Sequence, residues 1–273
     1  MLDTIIHKWL NIPYTLHAHV NRKVKKPRVS VVFLHGIGNS ASVWNEVVEV
    51  LAFDIRAVSV DLLGFGQSAK PSWATYDAKT QAESLYKTLK ALRLHGPIII
   101  VGHSLGALVA VEFAKTHSLR VQALILCSPP FYVTHPGQRH LIPGNDDVLR
   151  KLYKTVHKNP QTFMKISQFA TKYHLVNRSF NITSDNVSSY IAALEAMIIN
   201  QTAYEDALRL TVPTQIIRGS LDPFVIAKNL KSLTNSNPHM KIRTITAKHE
   251  INHRYKSAIV WSIDELTSET SVK

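Results

Sequence analysis

Cysteine is nearly missing from this chain: Cys127 is the single one in 273 residues. No disulfide can form within one copy, which excludes a disulfide-stapled secreted scaffold and suits a reducing compartment. Long apolar runs are missing too, and none approaches the roughly 18 residues that a membrane span needs. The opening MLDTIIHKWLNIPY has an early acid and no extended apolar stretch. It does not read as a signal peptide, and a short helix leading into the first strand is expected. The expected location is therefore cytoplasmic. Sequons at Asn177, Asn181, Asn186 and Asn200 carry no weight without a secretion signal. Internal repeats and low-complexity segments are also lacking.

Acidic residues are scarce. Nineteen Asp and Glu face 32 Lys and Arg, a formal net charge of +13. The densest basic run, Arg22–Arg28 (RKVKKPR), falls between two predicted strands and has no interleaved aromatics. A solvated hairpin loop is expected there rather than a nucleic-acid contact. The overall basicity suits the steering of anionic substrates.

What is present is alternation. YTLHAHV (14–20), RVSVVFL (28–34), IRAVSV (55–60), PIIIV (97–101), VQALILCS (121–128), TQIIRGS (214–220) and KIRTITA (241–247) read as strands. Helical spacing recurs between them over 41–52, 80–94, 107–116, 224–233 and 257–266. Strands alternating with helices predict an α/β fold with a mostly parallel central sheet covered on both faces. Residues 131–203 break the rhythm with helical patterns at 146–158, 161–173 and 184–199, ahead of another at 204–210. The expected organisation is a core of 1–130 and 204–273 with a helical cap inserted at 131–203.

Gly102-His103-Ser104-Leu105-Gly106 is G-x-S-x-G between a predicted strand and a predicted helix. In that setting the pattern is a nucleophile elbow: the glycines permit a very sharp turn that lifts the serine oxygen above the sheet. The turn also aims the Leu105 N–H, at a helix N-terminus, at a developing oxyanion. A second oxyanion donor is expected from the loop after an earlier strand. His35-Gly36-Ile37-Gly38 lies there, and the Ile37 N–H is assigned to it, with His35 orienting the loop. After such an elbow the acid precedes the histidine. Asp222 follows TQIIRGS at a strand's carboxyl end. His249 falls directly after KIRTITA and is the expected base, with His253, one helical turn on, as the alternative. The position after the 121–128 strand holds Cys127-Ser128 and no carboxylate.

On HGIG, DLLGFGQS, GHSLG, GSLDPF and the late histidine, the sequence resembles the α/β-hydrolase superfamily in its common capped, bacterial form. The resemblance covers most of 14–130 and 210–266. Lys248 stands where relatives carry a glycine before the histidine, and the cap matches no motif. The resemblance implies a serine hydrolase of the esterase or lactonase kind with Ser104, Asp222 and His249 as triad. No metal and no organic cofactor is expected. The expected partner is a small ester or lactone, not nucleic acid, and the oligomeric state is not legible. C–C bond hydrolases and cofactor-free haloperoxidases or perhydrolases share the pattern, and so would a binding protein that had lost the chemistry. Epoxide hydrolases and haloalkane dehalogenases of similar sequence use Asp at the elbow, against Ser104.

Two further motifs invite other chemistry. Gly64–Ala69 matches G-x-G-x-x-A, but Lys70-Pro71 follow where a dinucleotide site needs a helix. His17-Ala18-His19 has metal-like spacing and is expected to be strand surface. Asp61 is expected to be structural.

Overall fold

The computed structural model describes residues 2–133, 158–172, 180 and 182–270. The helical pattern expected at 146–158 lies outside the described residues but for its last position. The strands are β1 (Ala18–Arg22), β2 (Val29–Leu34), β3 (Ile55–Val60), β4 (Ile98–His103), β5 (Val121–Cys127), β6 (Thr214–Gly219) and β7 (Met240–Ile245). They form one sheet in the order β1-β3-β2-β4-β5-β6-β7. β1 runs antiparallel to β3, and every other neighbouring pair is parallel. The main helices are α1 (Asn45–Glu49), α2 (Ala78–Ala91), α3 (Leu105–Thr116), α4 (Pro160–Lys172), α5 (Val187–Ala193), α6 (Ala203–Leu208), α7 (Ala227–Ser236) and α8 (His253–Thr270).

Strand side chains alternate between faces, so a parallel strand buried on both sides must be apolar at every position. The two halves of the core follow this period of two. Val32, Leu34, Ile98, Ile100, Leu124 and Leu126 pack with α2, α3 and α7 on one face. Val31, Phe33, Ile99, Val101, Ala123 and Ile125 pack with Trp44, Tyr255 and Ile259 on the other. Helix α2 starts where the Asp77 carboxylate accepts the Thr80 N–H at 2.7 Å, an ordinary N-cap.

Two expectations are corrected. The basic run 22–28 is not a hairpin loop, because β3 lies between β1 and β2. β3 is buried at every position but Arg56 and needs a partner on its outer edge, which β1 supplies. The arginines of the run are used internally. Arg22 donates to the carbonyls of Val48, in α1, and of Leu51 and Ala52 just beyond it, and Arg28 pairs with Asp54 and Asp264. The lysines at 23, 25 and 26 are exposed. The helix expected from Phe224 begins at Ala227 instead. The Asp222 carboxylate takes the Phe224 N–H at 2.9 Å, so the chain turns before it can wind.

Of the described residues between β5 and β6, Phe163, Phe180 and Tyr190 lie near the carboxyl end of β4, beside Ser104. Gly38, in the loop after β2, has φ +75°, and a methyl there would meet the rings of Phe180 and Tyr190. The segment after α5 winds as a wide π-type turn over Leu194–Ile199. Helix α6 lies against α3, where Asp206 pairs with Lys115 at 3.1 Å.

Candidate active site

Ser104 sits between β4 and α3 with φ 51° and ψ −117°, a left-handed conformation that a non-glycine residue holds at a cost of about 1–3 kcal/mol. The turn is that tight because two backbones meet there. A side chain at Gly102 would strike the Gly106 carbonyl, and one at Gly106 would strike that of Leu34. Both glycines are therefore required by contact, and only Ser104 is left to project. Its N–H is held by the Cys127 carbonyl at 2.9 Å.

Three strand ends converge at this turn. His249, four residues past β7, brings Nε2 to 3.0 Å from Ser104 Oγ and Nδ1 to 2.8 Å from Asp222 Oδ2. Asp222 follows β6 and is buried. Burial by itself would raise its pKa. Hydrogen bonding to His249 and Ser128, and to the Phe224 N–H, outweighs this and holds the carboxyl below its usual range. His253 is exposed at the first residue of α8, and it is His249 that the structure brings to Ser104.

Lys248 is exposed, and the close approach that a glycine before the histidine would serve is met from the other chain segment. A side chain at Gly219 would collide with the carbonyls of Ala247 and Lys248.

The Ile37 N–H lies in the loop after β2, and Leu105 opens α3. Among the described residues neither N–H finds an acceptor. Gly36 presses this loop onto the elbow, since a side chain there would touch His103 Nδ1 and Ser104 Cβ. His35 orients the loop. Its Nε2 accepts the Leu62 N–H at 3.0 Å, so the proton sits on Nδ1 and is donated to the Gly36 carbonyl at 2.8 Å. Burial lowers its pKa and keeps the ring neutral.

Several supporting groups are not legible in the sequence. Ser128, at the end of β5 where a rival acid would stand, donates to Asp222 Oδ2 and accepts from the Tyr255 hydroxyl at 2.6 Å. Its own φ of 48° marks a second tight strand end. His103, the variable residue of the elbow, donates Nε2–H to the His249 carbonyl at 2.8 Å. Burial and the adjacent His249 push its pKa down to about 3, so it is a neutral positioning group. Phe224 lies edge-on to the His249 ring at 4.9 Å. A local reading cannot find these partners, because they are brought together from separate strands and from α8.

A cavity of about 290 Å³ opens over Ser104 and His249. Its wall is largely apolar: Ile37, Pro130, Tyr132, Phe163, Phe180, Tyr190, Leu194, Ile198 and Phe224 line it, with Glu250 at the side. Burial raises the pKa of Glu250, which suits an acid against an apolar wall. Cys127 is buried, its thiol pushed up by desolvation, and takes no part. The Gly64–Ala69 segment is a series of turns, and no helix starts until Ala78, so the helix N-terminus of a dinucleotide site is lacking there.

The sequence profile described as alpha/beta hydrolase fold matches residues 29–253. A probable lysophospholipase of Arabidopsis thaliana, BODYGUARD 4, is 34% identical over 112 residues, 40% of this chain. The chain spans only 27% of that relative's length. The 2-hydroxy-6-oxo-6-(2'-aminophenyl)hexa-2,4-dienoic acid hydrolase of Metapseudomonas resinovorans is 27% identical over 206 residues, covering 71% of this chain and 68% of that protein. Among solved structures, a thermophilic esterase from Thermogutta terrifontis superposes with a TM-score of 0.71 at 21% identity, over 93% of both chains. With a profile match that extends from β2 to the first residue of α8, around a seven-stranded, mostly parallel sheet and a G-x-S-x-G turn, the chain belongs to the α/β-hydrolase fold family.

Proposed function

We propose that this protein is a serine hydrolase of carboxylic esters with short to medium chains, lactones included, working through an acyl-enzyme. The observation that carries the reading is the unbroken hydrogen-bond line Ser104–His249–Asp222 at the floor of an apolar cavity. A serine hydroxyl is a weak nucleophile until a base takes its proton, and an imidazole held in one tautomer by a carboxylate supplies that base. In the proposed cycle His249 Nε2 takes the Ser104 proton as Oγ attacks the carbonyl carbon. The oxyanion is held by the N–H groups of Ile37 and Leu105. His249 then gives its proton to the leaving alkoxide, and the alcohol departs. Water, deprotonated by the same nitrogen, attacks the acyl-serine; the acid leaves and Ser104 regains its proton. Asp222 fixes the imidazole and balances its transient charge. No step calls on a metal or an organic cofactor.

In this reading residues 131–203 form the cap and set the acyl preference. A cavity of about 290 Å³ is at the small end of ligand pockets, which start near 300 Å³. Phe163 packs against Tyr190 at 5.4 Å between ring centres and closes one side. Phe163→Ala should shift preference toward longer acyl chains, raising the ratio of kcat/KM for C12 over C4 p-nitrophenyl esters about tenfold, since one or two methylenes of pocket room are worth about 1–3 kcal/mol. An unchanged ratio would remove α4 from the substrate's path. Asp222→Asn should lower kcat by about 10⁴, the cost of holding a triad imidazole in the wrong tautomer. A loss under about tenfold would show that Asp222 has no such role.

The test of the class is turnover of a panel of p-nitrophenyl esters and acyl lactones. The relative that hydrolyses a hydroxy-oxo-dienoic acid keeps C–C bond hydrolysis as a second reading. Cleavage of such an acid, with esters left intact, would favour it. Among the described residues no helix is long and apolar enough to cross a membrane.

A further inference from the structure

Away from the elbow, at the opposite end of the β2 loop's anchor, two imidazoles stand over one carboxylate. His17 and His19 flank the start of β1 on one face, and Asp61 follows β3 immediately. The antiparallel pairing of Ala18 with Val60 brings them together. His17 Nδ1 and His19 Nε2 each lie 3.5 Å from the same oxygen, Asp61 Oδ2. All three donor atoms fall within 4.8 Å of one another.

The loop 61–68 accounts for Asp61 but not for the two histidines. The carboxylate accepts the Ala41 N–H on Oδ1 at 2.7 Å and the Gln67 N–H on Oδ2 at 2.9 Å. Its Cγ sits where a Gly66 side chain would be. A carboxylate oxygen has about two lone-pair sites, so Oδ2 keeps one after the Gln67 bond, and both imidazoles face that oxygen without bonding it well. A nitrogen–oxygen hydrogen bond is about 2.9 Å long, and 3.5 Å is its outer limit. His17 Nδ1 is buried and makes no hydrogen bond at all among the described residues. Such an unsatisfied buried nitrogen is costly. The same 3.5 Å separation is what two ligands of one ion show. With zinc–nitrogen and zinc–oxygen bonds of about 2.0–2.1 Å, the edge of a tetrahedron is about 3.3–3.4 Å.

We propose that His17, His19 and Asp61 form a divalent-metal site of the zinc type, which pins the edge strand β1 to the carboxyl end of β3. The donor set, two imidazoles and one carboxylate, suits a borderline cation such as zinc or cobalt. Its orientation is fixed from behind. The carboxylate is held by two backbone N–H groups, and the His17 N–H donates to Ser68 Oγ, whose hydroxyl donates to the Asp61 carbonyl. Both histidine side chains are more than a third exposed, which leaves the fourth position to water. The role is structural: Asp61 also holds Ala41, at the end of the Ile37 loop, so the ion would tie the edge strand to the frame of that loop. The inference does not rest on the proposed ester chemistry.

The experiment uses untagged protein stripped with EDTA, titrated with zinc by calorimetry and with cobalt by visible absorption, alongside melting curves. One equivalent should bind and raise Tm, since an ion that binds only the folded chain stabilises it. His17→Gln or His19→Gln should weaken binding by more than about 100-fold, beyond the roughly 10–100-fold lost when a partner behind a ligand is changed, and leave the metal-free Tm unchanged. His249→Ala should bind as the wild type does. Absence of one-equivalent binding at zinc concentrations of about 100 µM, well above what structural sites need, would overturn the proposal. So would binding that survives His17→Gln with His19→Gln, or binding that is lost with His249→Ala.

Discussion

Ser104→Ala abolishes ester turnover and leaves the fold in place; that is the expected result with the largest effect. Loss of the nucleophile from a triad costs about 10⁴–10⁶ in kcat. The argument for an intact fold is local. Ser104 Oγ bonds His249 Nε2 at 3.0 Å, while the residue's backbone N–H to Cys127 does not depend on the side chain. Alanine carries the same Cβ and so meets the same strain at φ 51°. Ser104→Gly separates the two roles of the position. It should be equally inactive yet more stable, because glycine holds a positive φ without penalty. The stabilisation should be about 1 kcal/mol or more, less the entropy that glycine adds to the unfolded chain. Melting curves and single-turnover assays on the pair read both effects. A Ser104→Ala protein that keeps a tenth of wild-type turnover would contradict the mechanism.

His249→Ala should cost at least about a thousandfold in kcat, and His253→Ala under about tenfold. The two histidines lie four residues apart, and the local sequence does not separate them. The structure does, through backbone geometry. β7 ends at Ile245, and the short turn after it, packed on Gly219, leaves His249 facing Asp222. The chain then enters α8, which carries His253 to the solvent side. His103 adds to the difference by gripping the His249 carbonyl. The reverse pattern of losses would transfer the base to His253. Equal, mild losses would mean that Ser104 has no histidine base.

Much of this fold is legible because its code is local. A buried parallel strand is a short apolar run, and β3 and β6 start where the run starts. The elbow is legible for the same reason: Gly102 and Gly106 are needed by contacts made within a few residues of Ser104 or on the adjoining β2. Asp222 and His249 can be picked out because each follows a strand end. What fails to show in the sequence is which strands are neighbours. Arg22–Arg28 reads as a hairpin loop only if β1 pairs with β2, whereas β3 takes that place. The Ser128–Tyr255 support for Asp222, the His103 bond to His249 and the meeting of His17-x-His19 with Asp61 all join residues from separate strands or helices. Spacing along the chain carries no mark of them. Helices α4 and α5 are legible from their spacing, but which of their residues line the cavity depends on how these two helices lie against the loop after β2.

The most direct measurement is covalent labelling with a fluorophosphonate, a reagent that captures an activated serine, followed by peptide mass spectrometry. The account predicts one adduct per chain, on the peptide that contains Ser104, absent from Ser104→Ala and slowed by at least about a hundredfold in His249→Ala, since the base that activates the oxygen is gone. An adduct on any other residue, or labelling of Ser104 at the same rate without His249, would contradict it.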